Sequence, residues 1–237
     1  EVDGLVIQLN SLAYRKKLGN TSKFPRWAVA YKFPAEEKAT IVLGVDFQVG
    51  RTGTITPVAR LQPIFVGGAT ISNTTLHNMA EIARLGLCVG DKVLVRRAGD
   101  VIPKIVSVIE PAGLESRKEI RMPSTCPACG AGLELSGEIL YRCSAGSACT
   151  AQLKESIRHF SSRNALNIDG LGDKLISQLV DAELIKEAAD LFGLDYFELI
   201  KLERMGEKSA RKILLAIDKS RDATLSRFLF ALGIREV

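Results

Sequence analysis

Cys126-Pro127-Ala128-Cys129, followed by 13 residues, Cys143, five residues and Cys149, is the stretch on which the fold turns. A Cys-x-x-Cys turn aims two thiolates at one point, and a second pair completes a tetrahedron. Zinc accepts four sulfurs at ~2.3 Å without geometric strain, so Cys126, Cys129, Cys143 and Cys149 are the expected ligands of a structural Zn2+. A site closed by four protein ligands leaves no position for water, which makes it structural rather than catalytic. The competing reading is a set of buried free thiols or a redox pair. The surrounding segment is too short to build its own core. Metal binding, worth roughly 10–16 kcal/mol in small zinc modules, would replace that core. The fifth cysteine, Cys88, lies among Leu85, Leu87 and Val89 and reads as a small buried residue.

The cysteines divide two textures. Before them, residues 39 to 120 are rich in strands. Ile41, Leu43, Val45, Phe47 and Val49 fall on one face at period two. Gly50-Arg51-Thr52-Gly53 turns the chain into Thr54 to Arg60. Lys92 to Arg97 and Val101 to Ile109 read as two strands around an Ala98-Gly99-Asp100 turn, with Pro103 restricting the second to an edge or bulge. Short strands with glycine-rich turns suggest a small barrel or sandwich. Residues 1 to 38 hold an apolar run, Leu5 to Leu9, a basic stretch, and Trp27 to Phe33.

After the cysteines the pattern is helical. Leu153, Ile157 and Phe160 recur at helical spacing, as do Leu175, Ile176, Leu179 and Val180, then Ala210, Ile213, Leu214 and Ile217, then Leu225, Phe228, Leu229 and Leu232. Gly170-Leu171-Gly172 and Met205-Gly206 separate them, giving a degenerate repeat of helix, tight turn, helix. A third unit opens at Leu232-Gly233-Ile234. The expected architecture is a multi-domain α+β chain with segments 1–38, 39–120, 121–152 and 153–237.

In Ile168-Asp169-Gly170-Leu171-Gly172-Asp173 the glycines allow a tight turn just before a helix. Backbone N–H groups and the helix dipole there favour an anion. Lys174 follows as a cationic partner. Glu203-Arg204-Met205-Gly206-Glu207-Lys208 repeats the layout, with Arg211 and Lys212 behind it. Such units look like helix-hairpin-helix motifs, which hold duplex backbone without reading bases. Gly170, Gly172, Lys174, Gly206 and Lys208 are therefore candidate DNA-binding residues. The plainer reading is that each glycine only links core helices. A net charge of +5 and a pI of about 9.0 agree with a polyanionic partner.

The 46% apolar and 25% charged content is that of a globular chain. No apolar run approaches the ~18 residues of a membrane span, and no charged-then-apolar leader opens the sequence. A cytoplasmic location, no membrane partner and a monomer are expected. Residue 1 is Glu, so the chain reads as a fragment of something longer.

Specific stretches carry a family resemblance. Glu1-Val2-Asp3-Gly4-Leu5-Val6-Ile7 resembles the fourth nucleotidyltransferase motif of DNA ligases, and Trp27-Ala28-Val29-Ala30-Tyr31-Lys32-Phe33-Pro34-Ala35 the fifth. Phe47-Gln48-Val49-Gly50-Arg51-Thr52-Gly53 and Arg96-Arg97-Ala98-Gly99-Asp100-Val101-Ile102-Pro103 resemble the oligonucleotide-binding barrel of NAD-dependent DNA ligases. The cysteine segment and the helical repeat follow in that family's order. The resemblance implies a nucleotidyltransferase tail over 1–38, an OB-fold β-barrel over 39–120, a four-cysteine zinc finger over 121–152 and an incomplete helix-hairpin-helix domain over 153–237. It implies that Lys32 contacts the adenylate phosphate, that Arg26 shares the nucleotide site, and that Asp3 helps organise it through Mg2+. Arg51 and Arg97 would engage nicked duplex DNA. The implied reaction moves AMP from NAD to an enzyme lysine, then to a 5′-phosphate at a nick, where the 3′-hydroxyl displaces it. Charge stabilisation around phosphorus dominates such chemistry. His77 is read as a structural or DNA-facing loop residue of the barrel rather than a catalytic one, and His159, on an expected helix between Ile157 and Phe160, as no metal ligand because four cysteines already serve.

The sequence departs from the pattern in two ways. Gln8 stands where the fourth motif usually has lysine, and glutamine carries no charge. No Lys-x-Asp-Gly tetrapeptide occurs in the chain, so the nucleophilic lysine is absent and this piece alone is expected to be inactive. The leading alternative is a non-catalytic DNA-binding scaffold derived from a ligase. An ATP-dependent ligase or capping enzyme would share the nucleotide motifs but leaves the cysteines and helical repeat unexplained.

Overall fold

The computed structural model describes residues 4–97, 102–113, 117–137 and 139–234. Asp3 and the expected turn at Ala98-Gly99-Asp100 lie outside them. The chain divides into two compact units, Glu1–Asp46 with Pro57–Arg121, and Phe47–Thr56 with Met122–Val237.

In the first unit, β1 (Gly4–Gln8) and β2 (Ala28–Lys32) form an antiparallel ribbon in the register Gly4↔Lys32 to Gln8↔Ala28. Between them runs α1 (Leu12–Leu18). Its N-cap is Ser11, and Arg15, Lys16 and Lys17 sit in its last turn, where the helix dipole favours cations. The basic stretch showed no helical period because α1 buries no residue.

β3 (Glu36–Val49), β4 (Ile55–Val66), β5 (Ala69–Thr75), β7 (Lys92–Arg97) and β8 (Lys104–Glu110) form one sheet in the order β5-β4-β3-β7-β8. β5 also approaches β8, which curls the sheet into a barrel. Pro103 lies just ahead of β8 rather than inside it, and β8 is an edge of the hydrogen-bonded order, where a ring without an N–H costs no ladder bond. α2 (Met79–Leu85) crosses between β5 and β6 (Cys88–Val89), and β6 pairs with β9 (Lys118–Glu119). Asn78 caps α2 by accepting from the Glu81 N–H at 2.9 Å. Cys88 is half-buried rather than fully buried.

The apolar face expected on β3 is not the one facing the first core. Thr40, Val42 and Gly44 point inward, while Ile41 and Leu43 are 39% and 57% exposed. Thr40 tolerates burial because its hydroxyl donates to the Gln62 carbonyl at 2.6 Å. Farther along, Phe47 and Val49 do pack inward, against the cysteine cluster of the second unit. Alternation fixes the two faces of a strand but not which one is buried.

The second unit begins with the hairpin tip 47–56, then β10 (Leu133–Ser136) paired with β11 (Leu140–Cys143). The helices are α3 (Thr150–Ser161), α4 (Asp173–Asp181), α5 (Tyr196–Leu199), α6 (Glu207–Ser220) and α7 (Leu225–Ala231). Ile157, Phe160, Ile176, Leu179, Leu191, Leu199, Ala210, Ile213 and Ile217 form their core. α7 departs from the expected stripe. Leu225, Phe228 and Leu232 are exposed and Ala231 is the buried residue. None of the described helices is long and apolar enough to cross a membrane.

One buried charge ties the first unit together. Asp91 is fully buried and accepts the N–H groups of Cys88 at 2.8 Å and Ala112 at 2.9 Å, with Arg117 Nε at 3.1 Å. Burial raises its carboxyl pKa, but these donors overcome that and hold it below the ordinary value. A depressed folded pKa means the stabilisation is complete above the unfolded value of about 3.9 and is lost as pH falls through the folded value. Asp91→Ala strands two amides and leaves Arg117 with only the Gly86 carbonyl, and should cost about 3 kcal/mol by urea unfolding near neutral pH. A loss under 1 kcal/mol, or one that grows on acidification, would refute this account.

Candidate functional site

The four cysteines predicted as ligands converge. Their sulfurs all lie within 4.8 Å of one another, with Cys126–Cys149 at 4.0 Å and Cys129–Cys143 at 3.5 Å. A tetrahedron with ~2.3 Å metal–sulfur bonds has edges of roughly 3.8 Å. The cluster is thus compatible with a structural zinc. Two local devices aim the sulfurs. In the first, Gly130 N–H donates to the Cys126 carbonyl at 2.9 Å and Gly130 takes φ +73°, which folds Cys126-x-x-Cys129 into a knuckle. In the second, Cys143 ends β11 and Cys149 is the N-cap of α3, so a strand end and a helix start fix the other two sulfurs.

The thiols cannot all ionise unaided. Burial raises Cys126, yet the N–H groups of Ala128 and Cys129 directed at its sulfur bring it down to about 7. At Cys129 the Ala131 N–H acts downward, but burial and the neighbouring thiols push it up to about 12. A divalent cation at the centre removes that repulsion.

The two glycine turns pack reciprocally. Gly170, at φ +91°, sits where an added Cβ would lie 3.3 Å from Ile213 on α6, and Asp169 pairs with Lys212 at 2.6 Å. In return Gln178 on α4 donates to the Glu203 carbonyl at 3.3 Å. Arg204 occupies the place of Gly170 in the second turn and also takes a left-handed backbone, φ +60°. Gly172 and Gly206 are the N-caps of α4 and α6, with ordinary φ of −88° and −89°, and a Cβ at either would meet nothing within 4 Å. Both helix N-termini are therefore uncovered. Lys174 and Lys208 are exposed beside them and make no ion pair among the described residues, whereas Asp173 is held by Arg158 at 2.7 Å.

The arginines expected to meet DNA have partners inside their own units. Arg97 donates to the Gly67 carbonyl at 2.5 Å, and Arg51 donates to the Gly233 carbonyl at 2.8 Å. Sequence carried no signal for either partner, because each is a backbone oxygen far away in the chain. Both carbonyls belong to glycines with positive φ. On the β1–β2 ribbon, Lys32 opposite Gly4 and Gln8 opposite Ala28 share one face, about 13 Å apart. That face is otherwise small, with Ala28, Ala30 and Val6. Leu5, Ile7, Val29 and Tyr31 form the other. Arg26 lies in the turn before β2, its N–H on the Gly19 carbonyl at 3.2 Å. His77 takes φ +61° in the turn ahead of α2, and His159 lies on α3 away from the sulfur cluster.

Metal analysis of the purified chain should return about one zinc, and Cys143→Ser should abolish it and expose the amides of residues 122–149 to exchange. Metal-free protein that keeps those amides protected would contradict a structural metal.

Residues 1–36 match the adenylation domain of NAD-dependent DNA ligases, and residues 39–117 match the OB-fold domain of NAD-dependent DNA ligases. The second match coincides with the curled five-stranded sheet, and the first with the ribbon that carries Lys32. Over residues 1–36 and 39–117 the chain thus matches two adjoining domains of the NAD-dependent DNA ligases, in one order.

Proposed function

We propose that this chain is the DNA-gripping part of an NAD-dependent enzyme that seals nicks in duplex DNA. The carrying observation is the succession of matched domains, a nucleotide-site ribbon followed directly by an OB-fold barrel. The four-thiol cluster and paired glycine turns that follow support it.

Each part has a chemical role. Lys32 supplies a cation beside the adenylate phosphate, with Arg26 in the same site and Asp3 as the residue that would help hold Mg2+. A bound Mg2+ would supply charge neutralisation at phosphorus. AMP passes from NAD to a lysine outside this chain with release of nicotinamide mononucleotide, then from that lysine to the 5′-phosphate at the nick, and the 3′-hydroxyl attacks that phosphate and expels AMP. α3 to α7 then serve as a helix-hairpin-helix array. The bare N-termini of α4 and α6 each accept a backbone phosphate, with Lys174 and Lys208 as cations, and read no bases. Arg97 keeps Gly67 in place and would engage the duplex as a cation of the barrel. Zn2+ braces the array. The site works in the cytoplasm on nicked double-stranded DNA, one chain at a time.

One observation favours a second reading. Gln8 lies on the same ribbon face as Lys32, so a position that would otherwise add charge to the nucleotide site adds none. That suits a DNA-binding scaffold that has given up catalysis.

Nick sealing by the parent protein, assayed with NAD and with ATP, separates these readings. Sealing with NAD alone is expected, the present chain should seal nothing, and a parent inactive with both donors would leave the scaffold reading. Gly172→Ala and Gly206→Ala test the phosphate sites. A Cβ fits sterically at both, so unfolding should change by about 1 kcal/mol or less. Duplex affinity should nevertheless fall several-fold, with a shallower salt dependence of about 0.9 in log–log slope for each phosphate lost. Unchanged affinity in both variants would reduce the glycines to mere turns.

A further inference from the structure

The structure assigns Arg51 to positioning, because with His159 it clamps the C-terminal end of α7 and so sets the helical array rather than touching DNA itself. This rests on the DNA-binding reading of that array and revises the role expected of Arg51.

The clamp closes on two carbonyls. Arg51 Nη1 donates to the Gly233 carbonyl at 2.8 Å, and His159 Nε2 lies 2.7 Å from the Phe230 carbonyl. A carbonyl oxygen only accepts, so His159 carries its proton on Nε2. Its ring also packs on Phe230, centroids 4.9 Å apart. The last carbonyls of a helix have no partner within it, and cationic or N–H donors placed there offset the dipole. α7 has only seven residues, one of which is buried; Arg227 holds its first half by donating to the Ala165 carbonyl at 2.8 Å and to the Arg163 carbonyl, and the Arg51–His159 pair holds its last turn. Gly233 belongs to the same device. It takes φ +66°, and a Cβ there would lie 1.7 Å from Arg51 Nη1, so only glycine lets the guanidinium reach the carbonyl.

The other end of Arg51 is anchored as firmly. It sits in the turn 50–54, where the Cys143 N–H donates to the Gly53 carbonyl at 2.9 Å and Thr54 bridges Arg142. An added Cβ at Gly53 would meet the Cys143 carbonyl at 2.9 Å and Gln152 at 3.0 Å. The tip is thus wedged against β11 and α3, and Arg51 extends from it to α7. The side chain is half-buried and lines a cavity of about 220 Å3 with Ser147, Gln152 and Lys186. That is the setting of an internal strut. Since Ala231 of α7 belongs to the same core as α4 and α6, freeing α7 loosens the scaffold that carries both glycine turns.

Amide exchange of the intact chain without DNA tests the clamp directly. Arg51→Ala, and His159→Phe, which keeps the ring contact, should each raise exchange at residues 228–234 while zinc content stays the same. Arg51→Lys should retain protection, because Nζ can donate to the same carbonyl. Binding to a nicked duplex oligonucleotide gives a second readout. Arg51→Ala should weaken it about tenfold with no change in the slope of log affinity against log salt. A slope shallower by about 0.9 would mean that Arg51 neutralises a phosphate, and would overturn the proposal. So would unchanged exchange at α7 in Arg51→Ala. Should the unaltered chain fail to bind duplex, the DNA reading falls, and the exchange arm still decides whether the clamp exists.

Discussion

Four sulfurs brought within 4.8 Å of one another form the constraint on which the second unit depends. Without a cation the cluster is self-opposing, since one thiolate forms readily and the next is resisted by burial and by its neighbours. A divalent ion at the centre would attract all four thiolates, outweigh their mutual repulsion and tie the segment together. The ligands come from places that otherwise have no common core. They are a knuckle at 126–129, the end of β11 and the first turn of α3. Fixing Cys149 fixes where α3 starts, and α3 lies against α4 and α7. Fixing Cys143 fixes β11, on which the hairpin tip of the long strands is seated.

Much of this was legible because the relevant signals are local. Cys-x-x-Cys, the glycine turns and the helical periods each need only a few neighbouring residues to be recognised. The strands on either side of the 98–101 segment were legible for the same reason, whereas residues 1–38 showed only an apolar run and not the pairing of β1 with β2. The four ligands are brought together as the spacing required. Two errors have a common cause. On β3 and on α7 the apolar pattern was present, but burial went to the other face or to a smaller residue. Periodicity states which residues lie together, while the face that is covered depends on what packs against the element. β3 shows this most clearly, because Thr40 and Val42 serve one core and Phe47 and Val49 another.

The remainder was not legible because it involves backbone oxygens and amides. Nothing in the pattern around Asp91 marks it, yet it is fully buried and collects two amides and a guanidinium from three distinct places. Arg51 and Arg97 looked like exposed cations awaiting a polyanion. Each instead donates to the carbonyl of a left-handed glycine. Every residue owns a carbonyl, so no residue type marks the one that will serve as acceptor.

Charge placement separates the arginines from the lysines of the helical turns. Arg158, Arg211 and Lys212 are engaged by Asp173, Glu207 and Asp169, so much of the basic excess near the turns is already balanced. Lys174 and Lys208 have no such ion pair among the described residues, and they stand next to helix N-termini whose caps, Gly172 and Gly206, offer no side chain to the first amides. A serine or aspartate cap would stabilise either helix by about 1 kcal/mol. Glycine forgoes this at both positions although their φ angles do not demand it. The stability forgone leaves two sets of amides free to take an oxygen from outside the chain. On the DNA-binding reading proposed above, these uncovered amides would matter more than the net charge.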